Sequence, residues 1–230
     1  MADRCTFVVF PHAGGSAGAY RDLTRRLQDH FEVHCVELPG HGRLRQQPFL
    51  GDMEQIVDFA GESARAACAG GPAAFLGHSM GAWIAYLVTA RAQATTPVHL
   101  FLSAARPPHL GVHRKLLGLD PDAFLRELER LGGVPAELLA DTAAMELFLP
   151  ALRADLHLLE PFQPPRSRPI GVPVTVLRAA GDDITNDDAA AWSETTTAAC
   201  HVHTLPGGHF FLLEQPELVG AVLRRALAAA

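Results

Sequence analysis

Several things are scarce in this sequence. Only four cysteines occur among 230 residues, Cys5, Cys35, Cys68 and Cys200, and no two form a CxxC pair. Such scatter reads as reduced, mostly buried thiols in a cytoplasmic protein rather than a disulfide framework. No apolar stretch approaches the roughly 20 residues of a membrane span, so no membrane partner is expected. The opening "MADRCTFVVF" lacks a secretory pattern and enters a strand-like run at once. Positive charge is in deficit: 19 Lys and Arg face 25 Asp and Glu, a net charge of −6, which argues against a nucleic-acid partner. What the chain does have is apolar residue, 48% against 19% charged, enough for a large core in one domain.

Those apolar residues come in short runs. Thr6–Phe10, Glu32–Leu38, Ala73–Gly77, Val98–Ala104, Val172–Ala179 and Cys200–Leu205 read as strands. Helical patterns lie between them at Ala19–His30, Met53–Ala69, Ala82–Ala94, Asp187–Thr197 and Pro216–Ala229. Near-continuous apolar strands alternating with helices imply an α/β fold: a mostly parallel central sheet covered by helices on both faces. Functional residues are then expected at the carboxyl ends of the strands.

From about 107 to 168 the alternation stops and the pattern is helical. Asp120 is a candidate N-cap, Pro121 a first helical residue and Gly132 a stop. Phe124, Leu125, Leu128 and Leu131 form one apolar stripe, which more often packs than touches substrate. Pro150 is expected to end or kink the helix that follows. This insertion would lie over the carboxyl ends as a lid, within a single domain spanning 1–230.

Gly77-His78-Ser79-Met80-Gly81 falls at a strand–helix junction, the setting in which G-x-S-x-G makes a nucleophile elbow. A serine needs a base. Of twelve histidines, His209 follows the last strand in "LPGGHFFLLEQP". His78 lies inside the elbow and reads as structural, and His12 as a pocket wall. The base needs a carboxylate to fix its tautomer. "AAGDDITNDD" follows the Val172 strand, and Asp183 is the assigned residue, with Asp182 its close rival one step away. Ser79, Asp183 and His209 then stand in the chain order of the α/β-hydrolases. Oxyanion donors are expected from the backbone N–H of Met80, just past the serine, and of Ala13, in the glycine-rich "PHAGGSAG". His201 with His203, and His109 with His113, lack a third ligand, so no metal is expected.

"FPHAGGSAGAYRDL", "VELPGHG", "GHSMGAWIAY", "HLFLSAARPPH", "LPALRADLHLLE" and "LPGGHFFLLEQP" together resemble the type II thioesterases, stand-alone α/β-hydrolases that accompany polyketide and non-ribosomal peptide synthases. The resemblance spans nearly the whole chain, lid included. It implies hydrolysis of acyl groups from the phosphopantetheine arm of acyl or peptidyl carrier proteins, without a cofactor, and carries over Ser79, Asp183 and His209 as triad and Met80 and Ala13 as oxyanion donors. Trp83 stands where that family usually has a smaller residue. Two other classes fit the residues alone: an esterase for small carboxylic esters, and a non-catalytic binding protein of the same fold. Arg91, Arg106, Arg114 and Lys115, then Arg166, Arg168 and Arg178, with Arg43 and Arg45, suggest a basic rim that would steer an acidic carrier. Solvated surface arginines explain them equally well.

Overall fold

A computed structural model describes residues 4–68, 71–91, 96–132, 141–164 and 169–228. Six strands form one sheet: β1 (Thr6–Phe10), β2 (Glu32–Cys35), β3 (Ala73–His78), β4 (His99–Ser103), β5 (Val174–Ala179) and β6 (Cys200–Leu205). Their order is β2-β1-β3-β4-β5-β6, and every neighbouring pair is parallel.

"TFVVF" shows why the sheet is covered on both sides. Side chains alternate across a strand. Val8 and Phe10 therefore enter one core, with α2 (Met53–Cys68) and α3 (Met80–Arg91), while Phe7 and Val9 enter the other, with α1 (Arg21–Leu27) and the C-terminal helix Pro216–Ala228. The chain runs from β1 outward to β2, then returns to place β3 on β1's other side. The carboxyl ends of β1 and β3 thus flank the point where the winding reverses, where α/β sheets place their ligands.

Between β4 and β5 come the helices of the insertion, α4 (Pro121–Leu131) and α5 (Thr142–Leu159). Asp120 caps α4 by accepting from the Ala123 N–H at 2.9 Å, and Gly132 ends it in the left-handed conformation. Phe124 and Leu128 are buried and Leu131 partly so, but Leu125 is exposed, so the stripe is narrower than expected. Pro150 does not end α5, which continues through it to Leu159. The proline removes the helical partner of the Glu146 carbonyl, and Glu146 is exposed, so water can take that bond. The two helices share a small core of Leu116, Phe124, Leu128, Met145, Leu152 and Leu156. Residues 133–140 and 165–168, Arg166 and Arg168 among them, lie outside the described residues.

After β5 the expected single helix is two pieces. Thr185 caps α6 (Asn186–Ala190) in a reciprocal capping box with Asp188, and a 3-10 turn follows at Ala191–Thr195. After β6, α7 (Phe211–Glu214) leads into α8 (Pro216–Ala228).

Candidate active site

Ser79 has φ 55°, a left-handed value that few residues other than glycine adopt. Its own N–H is held by the Ser103 carbonyl at 2.8 Å. The two flanking glycines are sterically required. A Cβ on Gly77 would lie 2.1 Å from the Gly81 carbonyl oxygen, and one on Gly81 would lie 2.0 Å from that of Phe10. Helix α3 can press this closely on β1 and β3 only without those methyl groups, and the result presents the serine hydroxyl above the sheet.

His209 reaches the serine from the loop after β6. Its Nε2 lies 3.1 Å from Ser79 Oγ, and its Nδ1 lies 3.1 Å from both Oδ1 and Oδ2 of Asp182. The assignment of Asp183 is therefore corrected to Asp182, whose side chain is 1% exposed. The reason lies in the loop. The Gly181 N–H bonds the Gly207 carbonyl at 3.0 Å, drawing the Asp182 turn against the loop that carries His209. The next residue faces away. The Asp183 carboxylate receives Arg130 at 2.6 and 3.2 Å and lies 3.5 Å from Arg114. The Arg130 hydrogen bonds are the main cause holding it below the ordinary aspartate range. Asp183 does serve its neighbour through the backbone: its N–H donates to Asp182 Oδ1 at 2.7 Å.

Two more imidazoles crowd the base. His78 points away from the serine; its Nδ1 lies 3.0 Å from Ser103 Oγ, and its Nε2 has no partner among the described residues. Burial first, then the positive charge available to His209 and His12, push its pKa well below the usual value. His12 lines the pocket, as expected. The Tyr20 oxygen accepts its N–H at 3.0 Å and lies 2.7 Å from its Nδ1. Burial, with His209 and His41 nearby, lowers its pKa to about 3.

The loop after β1 spends most of its N–H groups on structure. That of His12 goes to Tyr20, that of Gly14 to Asp155 at 2.7 Å and that of Gly15 to the His12 carbonyl at 2.9 Å. The Ala13 N–H is in none of these bonds, and Ala13 lines the pocket beside Ser79 and Met80. Met80 opens α3, so its N–H has no helical carbonyl behind it. The cavity over these groups measures about 160 Å³ and is walled largely by Trp83, Leu116, Leu128, Leu131, Phe148 and Leu152. Trp83 is fixed by its indole N–H on the Arg106 carbonyl at 2.8 Å. Phe124 is not in the wall; it packs beneath the Arg153 guanidinium.

A partly buried serine–histidine–carboxylate arrangement on this sheet invites comparison with known proteins. Residues 6–228 match the family model described as a thioesterase domain. The chain belongs to this thioesterase family. It is 34% identical to the gramicidin S biosynthesis protein GrsT of Aneurinibacillus migulanus, over 93% of this chain and 85% of that one. A probable cadicidin biosynthesis thioesterase of Streptomyces griseus is 31% identical over 98% of this chain, which spans only 63% of that relative's length. Among solved structures, the RedJ thioesterase of the prodiginine pathway in Streptomyces coelicolor superposes with a TM-score of 0.88 at 34% identity, covering 96% of this chain and 90% of that one. ClbQ from the colibactin pathway gives 0.90 at 26% identity, covering 99% and 98%.

The basic rim of this thioesterase is largely spoken for. Arg114 also meets Glu127 at 3.2 Å, and Arg106 holds the Leu110, Gly111 and Val112 carbonyls and lies 3.5 Å from Asp188. Arg91 pairs with Glu54 and Asp58, Arg43 with Glu37, and Arg178 is buried against the Ile184 carbonyl. The pairs His201–His203 and His109–His113 gain no third ligand, and among the described residues no three of His, Cys, Asp or Glu gather to hold a metal. Sequence reasoning passed over His41, Asp155 and Glu160. The last two lie in "LPALRADLHLLE" and the first in "VELPGHG", motifs recognised without a role being assigned to their polar residues.

Proposed function

We propose that this thioesterase hydrolyses acyl groups from the phosphopantetheine arm of acyl or peptidyl carrier proteins, clearing stalled or misprimed units in polyketide or non-ribosomal peptide biosynthesis. The observation that carries the proposal is the Ser79 hydroxyl, within hydrogen-bond reach of His209 at the base of an apolar cavity. The relatives' assignment to gramicidin S, cadicidin and prodiginine biosynthesis supports the substrate class.

In this mechanism His209 accepts the Ser79 proton as Oγ attacks the thioester carbonyl. Asp182 keeps the Nδ1 proton in place and stabilises the imidazolium. The tetrahedral oxyanion is received by the N–H groups of Met80 and Ala13. Collapse expels the sulfur, which takes the proton from His209 and leaves as the thiol, with the acyl group on Ser79. His209 then accepts a proton from the attacking water and returns it to Ser79 Oγ as the acid departs. Every step uses groups of this chain. The chain works as one domain, with α4 and α5 as the lid whose inner wall receives the acyl chain.

The test is a panel of acyl chains, each presented on a carrier protein and as a simple ester, together with phosphonate labelling of Ser79. Preference for carrier-bound thioesters supports the proposal. Faster turnover of free esters would replace it with a small-ester esterase, and failure of the phosphonate to label Ser79 would replace it with a binding protein.

A further inference from the structure

The two unassigned motifs meet inside the protein. Asp155, on α5, points down from the lid and is 3% exposed. Its Oδ2 accepts the Gly14 N–H at 2.7 Å and lies 2.9 Å from His41 Nε2. On the other side of that ring, Nδ1 lies 3.0 Å from the Pro39 carbonyl oxygen. One lid carboxylate thus ties the loop after β2 to the loop after β1, one residue from Ala13.

The hydrogen bonds dictate the protons. A carbonyl only accepts, so Nδ1 carries a proton. The contact between Nε2 and Oδ2 needs another, whichever of the two atoms holds it. Without that second proton two lone pairs would face each other in a site closed to water, which is costly. We infer that Asp155 and His41 are positioning residues that hold the Ala13 loop in its oxyanion-binding geometry through one shared proton, and that losing this proton releases both the loop and the lid.

The surroundings favour retaining it. Burial alone would push the His41 pKa down; the Asp155 hydrogen bond and charge, the Pro39 carbonyl and the Glu37 charge outweigh that and hold it above its ordinary value. Glu37 is itself engaged by the Ala17 N–H at 2.9 Å and by Arg43, and Phe49 lies edge-on to the imidazole. His12 lies close enough to feel the His41 charge, and its lowered pKa leaves it neutral. Because His41's native pKa is raised, the tie is intact below the ordinary histidine range and is lost as pH rises through the native pKa.

This inference rests on the proposed acyl-transfer chemistry, and the experiment separates the two. Steady-state hydrolysis of a short p-nitrophenyl ester and the rate of Ser79 phosphonylation are measured from about pH 6 to about pH 10 for the wild type, Asp155→Ala and His41→Gln. The glutamine amide can donate to Asp155 without titrating. In the wild type, kcat and the labelling rate should fall on the alkaline side. In His41→Gln the alkaline fall should disappear while circular dichroism stays native. Asp155→Ala should lower kcat about 100-fold with a much smaller change in KM, as expected for a misplaced reacting group. An alkaline fall that persists unchanged in His41→Gln, or an Asp155→Ala variant altered only in KM, would overturn the inference. Normal labelling with no action on carrier thioesters would instead remove the substrate proposal and leave this comparison standing.

Discussion

His78, at the end of β3, and His41, in the loop after β2, are both buried imidazoles, yet their environments drive them in opposite directions. His78 has a hydroxyl on one nitrogen, no partner among the described residues on the other, and two further imidazoles close by; its charge is suppressed. His41 has a carbonyl on one side and a carboxylate on the other; its charge is favoured. The difference separates two ways of building one site. On the sheet side, backbone and close packing place the serine, and the charge of His78 and His12 is suppressed. On the lid side, a modest apolar core is supplemented by charged ties: Asp155 to His41, Arg130 and Arg114 to Asp183, and Glu160 to the Leu116 and Leu117 N–H groups at 2.7 and 3.1 Å. The serine is held by close packing, whereas the lid and the loop that carries Ala13 are held by bonds between ionisable groups.

The largest effect should come on the sheet side. Ser79→Ala should retain the fold and lose hydrolysis by about 10³- to 10⁶-fold, since triad members act as a unit; near-normal turnover in folded protein would end the serine mechanism. Next, Asp182→Asn should cost about 10⁴-fold in kcat by leaving His209 in the wrong tautomer. Asp183→Asn, which loosens the ion pairs with Arg130 and Arg114, should cost less than about tenfold on the scale of exposed ion pairs. The reverse ranking in kcat would return the orienting role to Asp183.

Acid should separate the two sides more gently. The pKa values of His12 and His99 are lowered to about 3 and about 4, and that of His78 is also lowered, in each case chiefly by burial. As pH falls below about 6.5 the unfolded chain binds protons that the native sites refuse, so Tm should drop steadily toward about pH 4. A flat Tm over that range would show that these histidines are hydrated in solution. Smallest is the lid wall. Phe148→Ala should shift the acyl-length optimum toward longer chains by a few-fold in kcat/KM, because a hydrophobic pocket discriminates weakly per methylene. Phe124→Ala should lower stability without moving that optimum. A shifted optimum in Phe124→Ala would mean that the lid is not rigid enough for packing and pocket to be told apart.

How much of this was legible depended on what each signal reports. β1 stands at its expected bounds because an apolar run between turns encodes a strand directly, and β6 does so although its middle residues are exposed. Asp120, Pro121 and Gly132 bracket α4 because capping chemistry is local. Of the two outcomes expected at Pro150, an end to the helix does not occur, because the penalty depends on whether the orphaned carbonyl can be solvated, a tertiary fact. The choice between Asp182 and Asp183 was not readable either: one step along a loop reverses the side chain, and the Gly181–Gly207 contact that decides the direction joins two segments far apart in sequence. His41 and Asp155 were invisible for the same reason, two atoms 2.9 Å apart on residues 114 positions apart in sequence.

The glycine at position 81 has one more consequence. It sits against the carbonyls of Phe10 and Pro11, the two residues that lead into His12 and Ala13, while its neighbour Met80 carries the N–H proposed as the other oxyanion donor. The gap between the two donors is therefore dimensioned by a missing methyl group. Enlarging residue 81 by a single carbon should prise the first loop from the start of α3 and widen that gap. The serine and its base would remain engaged, and the oxyanion would be left with one partner too distant to help.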